Sequence, residues 1–181
     1  MAYFFNHTTH KMTISENKVA VVNYHLAASK DGGAEVLIEQ TSPDHPFAFI
    51  YGVSSLLPDF EKALANKKAG DKFDFHIKAS EAYGNVESDY IINIDRQAFY
   101  VDGNFDSNRV FVGNDIEMHD AEGNQLIGRV IEVEEAHVRM DFNHPLAGQD
   151  LHFIGEVMEV REATQEELEH GHVHGPGGHH H

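Results

Sequence analysis

The chain has 181 residues, 41% of them hydrophobic and 24% charged, with a formal net charge of −17. This length predicts one domain, or one domain with a small insert, and it is enough to bury about 70% of the unfolded surface. The negative charge argues against nucleic acids and anionic membranes as partners, because both would repel the chain. It favours solubility and, more weakly, attraction to basic unfolded polypeptides.

The sequence contains no cysteine, which excludes disulfides, thiol nucleophiles and thiolate metal ligands. A reducing compartment fits this composition, and we expect a cytoplasmic protein. No apolar run reaches the length of about 18 residues that a membrane helix needs, and the N-terminal stretch lacks the pattern of a signal peptide. Residues 1–17 are predicted to be an N-terminal extension, and Met12 could be an alternative start.

The first half of the chain combines short strands with one helix. The predicted strands are Lys18–Ala28, Val36–Gln40, Phe47–Tyr51 and Asp71–Lys78. Apolar residues then follow at the spacing of one helical face: Leu56, Leu57, Phe60, Ala63 and Leu64. We predict Ser55 as the N-cap of this helix, Pro58 in its first turn and Gly70 as its stop signal.

The second half is rich in short strands and turns. Predicted strands are Tyr90–Ile94, Val110–Val112, Asp115–His119, Gln125–Glu132, His137–Phe142, Asp150–Phe153 and Glu156–Arg161. Periodicity alone leaves open whether the stretch from about Ser88 to about Asp141 continues one sheet or forms a small domain inserted into a loop.

The C-terminal segment 164–181 is predicted to be a mobile, histidine-rich tail. Thr164 and Glu167 have the spacing of a capping box, which indicates one short helical turn. Beyond Leu168 the sequence offers nothing to bury, because Gly, Pro and His dominate it.

Several separated motifs together resemble a known family. GVSSLLPDFEKALANKKAGDKFDFHIKASEAYG, residues 52–84, is similar to the core of SlyD-like FKBP-type peptidyl-prolyl isomerases, and NHPLAGQDLHFIGEVMEVREAT, residues 143–164, is similar to their closing segment. About 50 residues lie between the two, where that family carries an insert-in-flap domain, and HGHVHG resembles its histidine-rich terminus. The resemblance extends from Lys18 to His174.

The resemblance implies an α+β fold in which an FKBP-like antiparallel sheet wraps a short helix and carries a small β-rich insert. The isomerase domain would comprise 18–87 and 142–163, and the insert-in-flap chaperone domain 88–141. The residue pattern alone predicts the same order of elements: strands, one amphipathic helix and more strands.

The resemblance also implies an apolar pocket that isomerises X-Pro bonds without a cofactor. Its expected catalytic residues are Tyr24, Glu39, Phe49, Leu56, Leu57, Phe60, Tyr83 and Phe153. Phe60 would form the floor of the pocket. The backbone N–H of Leu57 and the hydroxyl of Tyr83 would donate hydrogen bonds to substrate carbonyl groups. The family usually has an aspartate where this chain has Glu39, whose carboxylate is one methylene longer.

In the insert, the run Tyr90, Ile91 and Ile92 is the expected substrate-binding segment, because an alternating strand cannot bury three successive apolar residues on one side. The alternative is that all apolar residues of the insert form its own core. The expected partners are unfolded or proline-containing polypeptides and, from the resemblance, hydrogenase or nickel-maturation proteins.

Histidines are concentrated in the tail. His170, His172 and His174 are the expected ligands of Ni²⁺, or of Zn²⁺, Cu²⁺ or Co²⁺, and this binding should fade below about pH 6 as the imidazoles gain protons. His179–His181 could belong to a purification tag.

Two other functions are alternatives to the isomerase. One is a non-catalytic holdase or nickel metallochaperone. The other is a metal-dependent hydrolase using His137, His144 and His152, which the sequence disfavours because their spacing fits no compact ligand motif. We expect a monomer, because the chain lacks heptads and carries high like charge.

Overall fold

The computed structural model describes residues 11–174, in which strands greatly outnumber helices. The strands are β1 Lys18–Lys30, β2 Val36–Gln40, β3 Phe47–Ile50, β4 Lys72–Ile77, β5 Ile91–Asp95, β6 Tyr100–Val101, β7 Asn104–Phe105, β8 Asp115–His119, β9 Gln125–Val133, β10 His137–Asp141 and β11 Gln149–Glu162. The helices are α1 Pro58–Leu64 and α2 Gln165–His170. No helix in this part of the chain is long and apolar enough to cross a membrane.

The chain divides into two compact units. One contains the described residues up to Gly84 and from Gly148 onward, and the other is Asn85–Ala147. The second unit is wider than the predicted insert 88–141, because the segments that flank it also pair. The Asn143 side chain accepts from the Glu87 N–H at 2.9 Å and donates to the Glu87 carbonyl at 3.1 Å.

The first unit is a five-stranded antiparallel sheet with the order β2-β1-β11-β4, in which β3 also pairs with β1. The two segments predicted at Asp150–Phe153 and Glu156–Arg161 are one continuous strand, β11. Gly155 lies opposite Tyr24 in this pairing, where a Cβ would come within 2.0 Å of the Asn23 carbonyl oxygen. Only glycine therefore lets β11 continue past β1 at this position.

Helix α1 packs against one face of this sheet through the buried Phe60 and Leu64. It is shorter than predicted. It begins at Pro58 with Leu57 as its N-cap, not Ser55, because the fixed φ of proline suits the first helical position. It ends at Leu64, well before Gly70, since the C-cap Ala65 has an extended ψ of 138° and Asn66 then adopts a left-handed conformation with φ of 66°.

The last residues of the predicted N-terminal extension 1–17 are part of the folded first unit and do not extend from it. Ile14 is fully buried, and its backbone forms hydrogen bonds with Lys67 and Asn66. Thr13 pairs with Lys68 in an isolated bridge. This segment belongs to the fold of the first unit because it covers the end of α1. Residues 1–10 lie outside the described part of the chain.

The second unit is a four-stranded antiparallel sheet with the order β5-β10-β9-β8 and a short β6-β7 hairpin. Its own core contains Phe99, Val110, Ile116, Val130, Val138 and Met140. The predicted strand Val110–Val112 does not form. Val110 is buried in this core, whereas Phe111 and Val112 are exposed in a turn.

The C-terminal segment is anchored as far as His174, which contradicts the prediction of a mobile tail for these residues. The Thr164 hydroxyl and the Glu167 carboxylate form the predicted capping box at the start of α2. Val173 is only 3% exposed and packs with Val19, Ala48 and Ile50. The sequence reading missed this anchor because one valine among histidines and glycines shows no periodicity. His179–His181 lie outside the described residues.

Candidate active site

Aromatic rings fill the space between α1 and the sheet in the first unit. Phe60 of α1 is at the centre, and its ring lies 5.0 Å from that of Phe153 and 5.7 Å from that of Phe49. Tyr24, Phe47 and Phe75 also contact Phe60, all edge to face. Such arrangements add to the stability that the burial of the rings provides, and they hold the rings in fixed positions.

This cluster forms the floor of an open cavity of about 800 Å³. The cavity is lined by Tyr24, Leu26, Glu39, Gln40, Thr41, His45, Pro46, Phe47, Ser55, Leu56, Leu57, Phe60, Tyr83 and Phe153. Its size matches a site for a small ligand or a short peptide segment. Seven of the eight expected catalytic residues are therefore brought together here, from five separate parts of the chain.

Phe49 is the exception, because it does not line the cavity. Its side chain lies on the same face of β3 as that of Phe47, two residues further along the strand. Phe49 is only 1% exposed, and its ring contacts those of Phe47 and Phe60. Phe47 takes the place at the cavity wall that was predicted for Phe49. Their spacing of two residues put both on one face, but which of them reaches the cavity depends on where β3 pairs with β1.

Glu39 is oriented by a hydrogen bond from Tyr24. The Tyr24 hydroxyl donates to the Glu39 carboxylate, across the pairing of β1 with β2. Burial, and then this hydrogen bond, raise the pKa of Tyr24 far above its usual value, so the hydroxyl remains a donor at any physiological pH. Thr41 fixes the same region, since its hydroxyl accepts from the Tyr24 N–H at 2.8 Å.

Tyr83 reaches the cavity from the loop that follows β4. A single 3₁₀ turn at Ala79–Glu81 is tied to β11 by the Ala79 N–H, which donates to the Asp150 carboxylate at 2.8 Å. Gly84 then closes the loop with a φ of 79°, and its N–H donates to the Ala79 carbonyl. These bonds hold the loop in place while the Tyr83 side chain remains 40% exposed.

Leu57 precedes α1, and its backbone N–H makes no hydrogen bond to another described residue. Its carbonyl accepts from Phe60 and Glu61, as expected for an N-cap residue. The cavity thus combines aromatic and aliphatic side chains with polar ones, among them Glu39, Thr41 and Tyr83. This combination suits the binding of an apolar ring such as proline, with donors for the neighbouring carbonyl groups.

Comparison with known proteins agrees with this geometry. Residues 11–115 match the family model for FKBP-type peptidyl-prolyl cis-trans isomerases, FKBP_C. The chain belongs to this family. It is 35% identical to a protein of Yersinia pestis named FKBP-type peptidyl-prolyl cis-trans isomerase SlyD, over 91% of this chain and 79% of the relative. Proteins of the same name from Pasteurella multocida and Escherichia coli are 35% and 34% identical, over 94% and 91% of this chain and 82% and 79% of those relatives.

The apolar run Tyr90–Ile92, predicted to bind substrate, lies at one edge of the sheet of the second unit. Tyr90 ends a 3₁₀ turn and is 56% exposed, and β5 begins with Ile91. Ile92 pairs with Met140 and so lies on the core face of the sheet, yet it is 45% exposed because β5 is an edge strand.

The three tail histidines lie together around the end of α2. Gly171 ends the helix with a φ of 73°, and the rings of His170, His172 and His174 lie around it with centroids 5.0–5.6 Å apart. Their ring nitrogens lie within 4.8 Å of one another, close enough to hold one metal ion. The imidazole ligand set suits Ni²⁺, Cu²⁺, Co²⁺ or Zn²⁺.

Proposed function

We propose that the protein accelerates the cis-trans isomerisation of X-Pro bonds in polypeptide clients, with the proline bound in the cavity over Phe60. The observation that carries this proposal is the convergence of Tyr24, Phe60, Tyr83 and Phe153 on one open apolar cavity in a chain of the FKBP family. The first unit would carry the catalysis.

The mechanism follows from the chemistry of the amide. Rotation about the X-Pro bond is opposed by a resonance barrier of about 18–20 kcal/mol. The planar amide is more polar than the twisted one, so an apolar cavity disfavours the planar form relative to the twisted form. The Tyr83 hydroxyl and the Leu57 N–H would hold the carbonyl groups on either side, and no nucleophile or cofactor is required.

A protease-free isomerisation assay on a short Phe-Pro peptide tests this mechanism. Replacing Tyr83 by Phe keeps the ring and removes one hydrogen bond, so kcat/KM should fall about three- to tenfold. Tyr51→Phe is the matched control, because Tyr51 belongs to the same unit but does not line the cavity. A folded wild-type protein that gives no acceleration would reject catalysis and favour a holdase, and an unchanged Tyr83→Phe rate would reject the role of the hydroxyl.

We also propose that the second unit binds extended, unfolded clients by adding them to its sheet. The sheet has two edge strands, and they differ in chemistry. Edge strand β8 carries the carboxylates of Asp115 and Glu117, and charged side chains of this kind discourage strand addition. Edge strand β5 begins with Ile91 and Ile92 and follows the exposed Tyr90, which makes it the better template.

Metal binding by His170, His172 and His174 is the third part of the proposal. Support comes from the anchoring of this segment, because Val173 is buried and the His174 N–H donates to the Glu167 carboxylate at 2.9 Å. A metal ion would therefore meet ligands that are already close together, at a lower entropic cost than on a free chain. Nickel is a suitable ion for three imidazoles on such a scaffold.

A further inference from the structure

We propose that Glu35, His76 and His152 form a second site for one divalent transition-metal ion such as Zn²⁺, on the outer face of the sheet of the first unit. Their ligand atoms lie within 4.8 Å of one another. The site shares no residue with the cavity or with the tail histidines, so it stands independently of the functions proposed above.

Strand pairing creates this cluster. His76 of β4 lies directly opposite His152 of β11, and the two rings stack with centroids 3.8 Å apart. In β4 the apolar Phe73, Phe75 and Ile77 alternate with Asp74 and His76, so the two polar side chains face away from the cavity. Glu35, just before β2, extends over the same face and is 117 residues from His152 in sequence.

The distances around Glu35 fit a small coordination sphere. Its Oε1 lies 2.9 Å from His152 Nδ1 and 3.6 Å from His76 Nε2. Zinc binds nitrogen and oxygen ligands at about 2.0–2.2 Å, so the ligands of a tetrahedral ion are about 3.4 Å apart. The two observed separations bracket that value, and small side-chain movements would admit the ion. Two imidazoles and one carboxylate leave the fourth position open to water.

His152 has a partner arrangement typical of a metal ligand. Its Nε2 lies 2.6 Å from the Asp74 carboxylate, while its Nδ1 faces both oxygens of Glu35 at 2.9 and 3.0 Å. A neutral imidazole has one N–H and one lone pair, so it cannot donate to both carboxylates. Coordination of a cation by Nδ1 and Glu35 would remove this conflict once their 2.9 Å separation widens to that of two zinc ligands. A metal ion there would leave Asp74 to orient the ring from the other side, as second-sphere carboxylates do.

The environment favours a cation and a defined geometry. The His152 side chain is only 14% exposed, which restricts its ring, whereas His76 and Glu35 remain accessible to an entering ion. Glu35 and Asp74 supply two negative charges in a chain that already carries a net charge of −17. Imidazole ligands select Zn²⁺ and its neighbours over Mg²⁺ and Ca²⁺, which prefer oxygen ligands.

The test uses the full chain with all six tail histidines, His170, His172, His174, His179, His180 and His181, replaced by Asn. Calorimetric titration with Zn²⁺ should still show one bound ion per chain, and excess Mg²⁺ should not displace it. On this background His76→Asn and His152→Asn should each weaken binding at least tenfold. His76 is largely exposed, so its variant remains informative even if His152→Asn were to disturb folding.

His25→Asn is the matched control. His25 lies on the same face, opposite Ile154 and one row from His152, but it is not part of the cluster. Its replacement should leave the affinity unchanged. The proposal is overturned if the tail-substituted chain, folded by circular dichroism, binds no stoichiometric Zn²⁺. It is equally overturned if His25→Asn weakens binding as much as His76→Asn does.

Discussion

The hydrogen bond between Tyr24 and Glu39 gives the longer Glu39 side chain a fixed partner in the cavity. The resemblance implied an aspartate where this chain has the longer Glu39, and the structure gives the Glu39 carboxylate a donor, the Tyr24 hydroxyl. Both groups line the cavity. Because Tyr24 stays protonated at physiological pH, it can hold this exposed carboxylate at the wall of the cavity.

The first prediction concerns this pair. Tyr24→Phe keeps the ring in contact with Phe60 but releases Glu39, so kcat/KM for a Phe-Pro peptide should fall about three- to tenfold. Glu39→Gln should give a loss of similar size, and the double variant should lose little more than either single one, because the two groups act together. Fully additive losses in the isomerisation assay would show that they act separately.

At the scale of elements, the sequence predicted the amphipathic helix, most strands and the capping box of α2, since each depends on residues close together in the chain. It could not predict contacts set by strand register. Phe47 in place of Phe49 at the cavity, and His76 beside His152, both depend on which residues of two distant strands face each other. The anchoring of the tail was equally hidden, because it depends on the single buried Val173.

Helix α2 is held by an ion pair between Arg161 and Glu167, in addition to its capping box. The Glu167 carboxylate is almost fully buried and receives two hydrogen bonds from Arg161, at 2.7 and 2.9 Å, together with one from the His174 N–H. The Arg161 hydrogen bonds, ahead of the backbone donors, hold the pKa of Glu167 well below its ordinary value of 4.5. This carboxylate therefore stabilises the folded state while it is ionised.

The second prediction is the loss of that stability in Glu167→Gln. The variant leaves Arg161 without its anion, and because Arg161 is partly exposed the cost at pH 7 should be about 2–3 kcal/mol. A group with a lowered folded pKa contributes fully above its unfolded pKa and progressively less as the pH falls toward its folded pKa. The difference between wild type and variant should therefore be constant at neutral pH and shrink below about pH 4.5.

Urea unfolding at a series of pH values measures this difference. Glu169→Gln, an exposed neighbour in α2, is the control and should change stability by less than about 0.5 kcal/mol. A difference that does not depend on pH would mean that the Glu167 side chain stabilises the tail by packing and not by its charge.

At the scale of the whole molecule, the chain combines two units with separate cores and different surfaces. The first unit encloses an apolar cavity, and the second exposes apolar side chains around an open sheet edge. Native proteins usually protect such an edge with charges, as β8 does with Asp115 and Glu117, whereas the only charged residue of β5 is Asp95 at its end, so β5 is the feature that most needs a functional explanation. Client binding at β5 would supply one.

The last prediction separates client binding from catalysis. Ile92→Lys adds a charge at the open edge, which disfavours strand addition, so binding of a permanently unfolded, carboxymethylated protein should weaken about tenfold. Isomerisation of a short peptide should not change, because Ile92 lies outside the unit that contains the cavity. Ile127→Lys is the control, since Ile127 is 61% exposed but lies on β9, opposite Glu117 of β8 and not on the β5 edge. Equal weakening by both variants would show that client binding does not depend on the β5 edge.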